Sequence, residues 1–178
     1  MSYHSLFGAY VVPRSASDPL SYRNPDSLRT DGSSRNGWFQ AQCGLLLDTY
    51  GGHESLRFLS AQSSSIQQSD GTTFTLIDGN ALCDAHEQLE ALISCCRDDI
   101  DLLTERLGLR HDGYTTEDVR AALAATLERA AVPEHQPDGE DGASPRFLFS
   151  ALAAVIAILR YARERDLMVV FFNWLPQR

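Results

Sequence analysis

Apolar residues recur every three or four positions through the middle of the chain. This spacing continues over about seven turns and predicts an amphipathic helix from about residue 81 to residue 108. Gly108 stands where such a helix would end. The apolar positions are Leu82, Ala85, Leu89, Leu92, Ile93, Cys96, Ile100, Leu103 and Leu107. The opposite face carries mostly acidic side chains, so we expect it to face water.

Two further helices are predicted after this one. The first covers about 116–131 and follows Thr115, which stands three residues before Asp118 in a near-match to a capping box. The second covers about 146–165 and follows Ser144–Pro145, a cap residue and a favoured first helical residue. Because this last helix is apolar nearly all round, we expect a sheet on one side of it and the amphipathic helices on the other.

Short strands are predicted in the N-terminal half and at the end of the chain. Residues 3–12 are rich in aromatic and β-branched types, which favours an extended segment. A β-hairpin is predicted around the turn signal at 69–71, which Ile66 and Phe74 flank with polar residues between them. The apolar run at 167–174 predicts a buried strand.

Two segments contain few apolar residues that could join a core. Residues 14–37 are rich in Ser, Asp, Asn, Pro, Gly and Arg, which predicts an irregular segment. Residues 133–144 contain two prolines, two glycines and four acids, which predicts a mobile acidic linker. A chain of 178 residues with 43% hydrophobic content fits one domain. We therefore expect a single α+β domain over 1–178, with short strands first, then three helices and a final strand.

Cysteine usage and hydropathy favour the cytoplasm. The four cysteines show no C-x-x-C spacing and two are adjacent, so we expect reduced thiols. No basic residue precedes the apolar stretch 6–12, which argues against a secretory signal. The longest apolar run, 147–159, is shorter than the roughly 20 residues that a bilayer requires, so we expect no membrane association. The cysteines are Cys43, Cys83, Cys95 and Cys96.

Charge is distributed unevenly along the chain. The net charge of −9 divides into −2 for residues 1–80, −10 for 81–145 and +3 for 146–178. All fifteen basic residues are arginine, which a GC-rich genome explains, and the absence of lysine excludes Schiff-base enzymes and P-loop phosphate sites. An acidic field repels nucleic acids and anionic membranes and attracts a basic protein. We expect a basic protein partner and no nucleic acid.

Cys43 is the candidate nucleophile of the chain. A cysteine-dependent hydrolase or deamidase needs a histidine base beside its thiol, and no spacing selects one here. The histidines available are His53, His86, His111 and His135. Free cysteine is among the most often buried residue types, which favours a core position for Cys43. An enzyme that uses Cys43 with one histidine is therefore the alternative to a non-catalytic protein.

An acidic cluster at 98–105 raises the possibility of a magnesium site, because hard cations bind several carboxylates at once. On a helix Asp98, Asp101 and Glu105 share a face, and Arg97 and Arg106 are close enough in sequence to pair with them. A solvated helix face is the favoured interpretation, since a second set of ligands is missing. We expect no metal and no other cofactor.

Aromatic residues are concentrated in two places. Trp38 and Phe39 are adjacent, and Phe171, Phe172 and Trp174 fall in the final strand. Strand alternation places Phe172 and Trp174 on one side of the sheet and Phe171 on the other. We expect most of these rings in the core.

The leading hypothesis is a non-catalytic binding protein with an acidic helical face. Small acidic proteins of this kind often act as inhibitors or immunity proteins, because carboxylates mimic the phosphates that a basic toxin enzyme binds and accelerate association. Such binding would be sensitive to salt. The carboxylates predicted to form the face are Asp84, Glu87, Glu90, Asp98, Asp101 and Glu105.

Overall fold

The computed structural model describes residues 6–21, 27–31, 33–59, 66–67, 69, 72–129 and 145–174. Within these ranges the chain forms one domain of the α+β class, as the sequence predicts. Its elements, in chain order, are β1 (Leu6–Pro13), β2 (Ser27–Asp31), α1 (Ser33–Tyr50), a 3-10 turn (Arg57–Leu59), β3 (Ile66–Gln67), β4 (Thr73–Ile77), α2 (Gly79–Asp98), α3 (Ile100–Arg106), α4 (Thr116–Arg129), α5 (Pro145–Glu164) and β5 (Leu167–Trp174).

The strands form one antiparallel sheet with the order β2-β1-β5-β4-β3. The last strand in sequence is therefore the central one in space. β5 pairs along its whole length with β1, from Pro13 opposite Leu167 to Leu6 opposite Trp174, and on its other edge with β4. The predicted hairpin is confirmed, because Ile66 stands opposite Phe74 where β3 pairs with β4.

Both faces of the central strands are buried. Val169 and Phe171 of β5 belong to the large core beneath the helices, whereas Val170 and Phe172 belong to a smaller cluster on the other face. A strand buried on both sides needs apolar residues at successive positions, which explains the uninterrupted apolar run of β5. In the described part of the chain, the smaller cluster is flanked by the loop after β1, where the Tyr10 hydroxyl donates to the carbonyl oxygen of Leu20 at 2.7 Å.

α5 is the buried centre of the helical layer. Its residues from Leu148 to Leu159 are all buried, and it packs against the sheet as well as α1, α2 and α4. This surrounded position is the one that its apolar sequence predicts. Two residues then connect α5 to β5, and Asp166 takes a left-handed conformation (φ 54°) in this turn.

The helix predicted for 81–108 is interrupted once. The backbone of Asp99 leaves the helical region (φ −116°, ψ 42°), so that α2 ends at Asp98 and α3 begins at Ile100. The apolar stripe continues in phase, because Ile100 and Leu103 are buried like Cys96 before them. A single non-helical residue leaves the apolar period intact, and for this reason the sequence pattern does not reveal it.

The first helix, α1, lies in the N-terminal half, where the sequence predicts short strands and no helix. The segment 14–37 was predicted to be irregular, yet it contains β2 and the first residues of α1. Serine, asparagine and glycine at the start of α1 are weak helix formers and obscured it. The apolar positions Phe39, Cys43 and Leu47 are buried four residues apart, and this is the helical spacing that could have revealed α1.

The remaining predicted helices are confirmed, with small shifts at their ends. α4 begins with the capping box expected from Thr115 and Asp118: the Thr115 amide donates to Asp118 Oδ2 at 2.8 Å, and the Asp118 amide donates to Thr115 Oγ1 at 3.2 Å. These hydrogen bonds lower the pKa of the Asp118 carboxyl. The acidic linker predicted for 133–144 lies outside the described residues.

Candidate protein-binding surface

The acidic residues of α2 and α3 lie on the outside of the helical layer. The inner side of α2 is fixed by the burial of its apolar stripe, including Leu82, Leu89 and Leu92. The opposite side must then face water, and all six carboxylates predicted for a binding face are exposed. Three of these carboxylates, Glu87, Glu90 and Asp101, are paired with arginines of the same chain, and among the described residues the other three are not.

Two of the paired carboxylates lie where α2 meets the end of α5. Arg163 Nη2 is 3.2 Å from Glu87 Oε1, and Arg160 Nη2 is 3.2 Å from Glu90 Oε1. Next to these ion pairs His86 is buried, with only 5% of the residue exposed. We call this group the α2–α5 flank, which consists of His86, Glu87, Glu90, Arg160 and Arg163. Its four charged side chains balance one another, so the flank adds little net field.

The histidine of the flank has a defined neutral form. Arg163 Nη1 lies 3.3 Å from His86 Nδ1, and since a guanidinium can only donate, Nδ1 must accept and Nε2 must carry the proton. Nε2 is 3.4 Å from Glu90 Oε1 but makes no hydrogen bond among the described residues. Burial lowers the pKa of His86, and Arg160 and Arg163 lower it further against the opposing effect of Glu90 and Glu87.

The other group is open to water. Its side chains have no hydrogen bond or ion pair in the part of the chain that the structure describes. We call it the outer ridge, and it consists of Asp84, Asp98 and Glu105 together with Asp99, which is also exposed. Asp84 and Asp98 are separated by about 21 Å along the axis of α2 and by about 40° around it, so they lie on one side of the helix. The outer ridge is therefore long enough to contact a protein surface.

Asp101 is paired, but with a different arginine than the sequence suggests. Arg97 and Arg106 are close enough in sequence to pair with the cluster, yet within the described residues neither makes an ion pair. Instead Arg110 Nη2 lies 3.3 Å from Asp101 Oδ1, and the Thr116 hydroxyl donates to the same oxygen at 2.7 Å. These contacts join α3 to the start of α4.

An exposed apolar side chain stands within the acidic part of α3. Leu102 is 39% exposed, and the exposed acidic residues Asp98, Asp101 and Glu105 are near it in the sequence. Protein interfaces commonly combine an apolar centre with a polar rim. No group of three or more histidine, cysteine, aspartate or glutamate side chains among the described residues is arranged to hold a metal ion.

Cys43 lies in the core instead of a cleft. It is completely buried on the inner side of α1, and burial together with the nearby Cys96 raises its pKa well above the ordinary value. Burial also raises the pKa of Cys96, to about 12. A thiol with a raised pKa is not the activated thiolate that covalent catalysis needs.

The three histidines that the structure describes contact residues other than Cys43. His53 Nε2 is 3.4 Å from Asp48, and His111 Nδ1 is 3.6 Å from Asp112, both at exposed positions. His86 belongs to the α2–α5 flank. No contact joins any of the three to Cys43 among the described residues, and His135 lies outside them.

Of the five aromatic residues considered from the sequence, the three whose side chains the structure describes are in the core, as expected. Phe171 stacks on Phe58 with ring centroids 4.1 Å apart, and Phe39 is fully buried. Phe172 faces the other side of the sheet, where its ring centroid is 6.3 Å from that of Phe74. The side chains of Trp38 and Trp174 lie outside the description.

A small cavity lies between the 3-10 turn, β4 and the start of α2. The sequence does not predict it. Its volume is about 180 Å³, and its lining includes Phe58, Ile77, Glu54 and Arg57. This volume is below the range of about 300–1,000 Å³ that is usual for small-molecule sites. No sequence signal marks it, because its residues come from three separate elements.

Comparison with family models, with curated proteins and with solved structures gives no match to this chain. Across the described residues, none of the helices combines the length and the apolar character needed to cross a membrane.

Proposed function

We propose that this chain is a non-catalytic acidic binding protein that neutralises a basic protein partner, in the manner of an inhibitor or immunity protein. The observation that supports this proposal is the outer ridge, where carboxylates face water without arginine partners among the described residues. The docking face we propose combines the six carboxylates predicted from the sequence with exposed Leu102, and the unpaired carboxylates supply most of its field.

The charge of the chain determines which class of partner fits. Residues 81–145 carry a net charge of −10. Residues 1–80 carry −2 and residues 146–178 carry +3, so the whole chain has a net charge of −9. A negative field of this size raises the rate of encounter with a basic surface and opposes binding to phosphate backbones and anionic lipids. We therefore propose a basic protein as the partner, and neither nucleic acid nor membrane.

The free state of all four cysteines supports a cytoplasmic location. Reduced thiols are usual in the cytosol and uncommon in secreted proteins. A cysteine hydrolase, the alternative, has no observation in its favour, because Cys43 is sealed in the core and lacks a histidine neighbour among the described residues.

Capture from an extract of the native host tests the proposal. The immobilised wild-type chain is compared with a ridge variant, Asp84→Asn/Asp98→Asn/Glu105→Gln, and with a control of equal charge change, Asp18→Asn/Asp48→Asn/Glu164→Gln. All six positions are exposed. We expect the wild type and the control to retain the same basic protein and the ridge variant to lose it.

Salt dependence provides the second part of the test. Screening shortens the reach of exposed charges to about 8 Å at 0.15 M salt, so affinity for the captured protein must fall as salt rises. Equal capture by the ridge variant, or an affinity that stays constant between low and high salt, would rule out the proposed face.

A further inference from the structure

We propose that His86 is a proton switch that controls the contact between α2 and α5: the neutral ring accepts a hydrogen bond from Arg163, and the protonated ring releases that arginine. The switch is a property of the chain alone. Its consequence for binding rests on the function proposed above.

The geometry of the neutral state is specific. Among the described residues, four charged groups act on the ring: Glu87 and Glu90 from its own helix, and Arg160 and Arg163 from α5. Arg163 bridges the two helices, because Nη1 reaches His86 Nδ1 at 3.3 Å while Nη2 is 3.2 Å from Glu87 Oε1. The neutral imidazole is thus one of the two anchors of this arginine on α2.

Protonation removes that anchor. A proton on Nδ1 turns the acceptor into a donor that points at the Arg163 guanidinium, so attraction becomes repulsion between two cations. The added charge is also buried, since the residue is 5% exposed, and moving a charge out of water is costly. The other ring nitrogen, 3.4 Å from Glu90 Oε1, then competes with Arg160 for the same oxygen. Both ion pairs between α2 and α5 are weakened together.

The sign of the pH effect follows from the lowered pKa of His86. The unfolded chain binds this proton more readily than the folded chain, so protonation favours unfolding. Stability from the neutral ring is complete above the ordinary histidine pKa, near 6.5, and is lost as pH falls through the lower folded value. In the same range, the protonated ring adds one positive charge beside the acidic face, and we expect affinity for a basic partner to decrease.

Titration of the His86 ring signals by NMR tests the switch without any partner. We expect the wild-type midpoint to lie below 6.5. Arg163→Gln should raise the midpoint by removing a cation, and Glu90→Gln should lower it further by removing an anion. A wild-type midpoint at or above 6.5, or a midpoint that Arg163→Gln leaves unchanged, would overturn the proposal.

Unfolding in urea at pH 7.5 and pH 5.5 gives the second readout. His86→Asn retains an acceptor near the Nδ1 position and cannot titrate, and His111→Asn is the exposed control. We expect the unfolding equilibrium constant of the wild type and of His111→Asn to rise about threefold or more between the two pH values relative to His86→Asn. Equal pH responses in all three proteins would overturn the switch.

A partner-binding measurement separates the two proposals. If the chain binds a basic partner at pH 7.5 and only the pH effect is missing, the switch fails and the proposed function stands. If NMR and urea show the switch but no basic partner binds at pH 7.5, the proposed function fails and the switch stands.

Discussion

The α2–α5 flank and the outer ridge show how the same residue types on α2 and α3 can have different roles. On the α2–α5 flank, two glutamates hold two arginines of α5 and enclose a histidine. On the outer ridge, carboxylates face water with no partner among the described residues. The position of arginines on a distant helix decides the difference, because spacing along α2 is helical in both cases. Counting acids in the sequence therefore overestimates the free negative charge.

The two regions should also respond differently to salt and to pH. Interactions of the outer ridge with a partner take place between exposed charges, which salt screens strongly. The flank combines half-exposed ion pairs with a buried ring, so proton binding to that ring affects it more than salt does. This contrast leads to predictions that separate stability from binding.

The largest expected effect concerns the inner side of α2, on which both regions depend. Leu89 is fully buried, so Leu89→Ala should lower the free energy of unfolding by about 3 kcal/mol through lost burial and a cavity. Leu102→Ala is the matched exposed control and should change stability by under about 0.5 kcal/mol. Urea denaturation followed by circular dichroism measures both. Similar losses would mean that Leu102 contributes to the core.

A smaller loss of stability is expected when the contacts of Arg163 in the α2–α5 flank are removed. Arg163→Gln removes the half-exposed ion pair with Glu87, worth about 0.5 kcal/mol, and leaves the buried Nδ1 of His86 without its donor. We expect a loss of about 1–2 kcal/mol at pH 7.5. Arg106→Gln, at an exposed position, should cost under about 0.5 kcal/mol. Equal costs in urea denaturation would show that the flank does not join the two helices.

The smallest expected effect is the absence of a reaction. In the native protein, iodoacetamide at neutral pH should leave Cys43 and Cys96 unmodified, because both thiols are buried and their pKa values are raised. Cys95, next to Cys96 but half-buried, is the internal comparison and should react slowly. Mass spectrometry of labelled peptides gives the result. Rapid, selective labelling of Cys43 would favour the hydrolase alternative.

Most helices and strands could be predicted because their apolar periods are strong. The stripe of α2 and α3, the apolar run of α5 and the capping box at Thr115 each determine a local structure. α1 was missed because Ser33, Ser34 and Gly37 weaken its first turns. The central position of β5 is a matter of long-range pairing, which no local pattern contains.

The candidate site was predictable in outline only. Helical periodicity correctly placed all six carboxylates on the exposed side. It could not show that Glu87 and Glu90 are held by arginines about 70 positions later in the chain. The pairing of Asp101 with Arg110 depends in the same way on the turn between α3 and α4. The enclosed position of His86 follows from packing against α5 and has no sequence motif.

The dissociation constant of the captured basic partner, measured at low salt for two double variants, tests the central claim most directly. Asp84→Asn/Asp98→Asn neutralises the outer ridge, and Glu87→Gln/Glu90→Gln removes the same number of charges from the flank. We predict that the ridge variant weakens binding about tenfold and the flank variant by less than about threefold. Equal weakening, or a larger effect of the flank variant, would contradict the account.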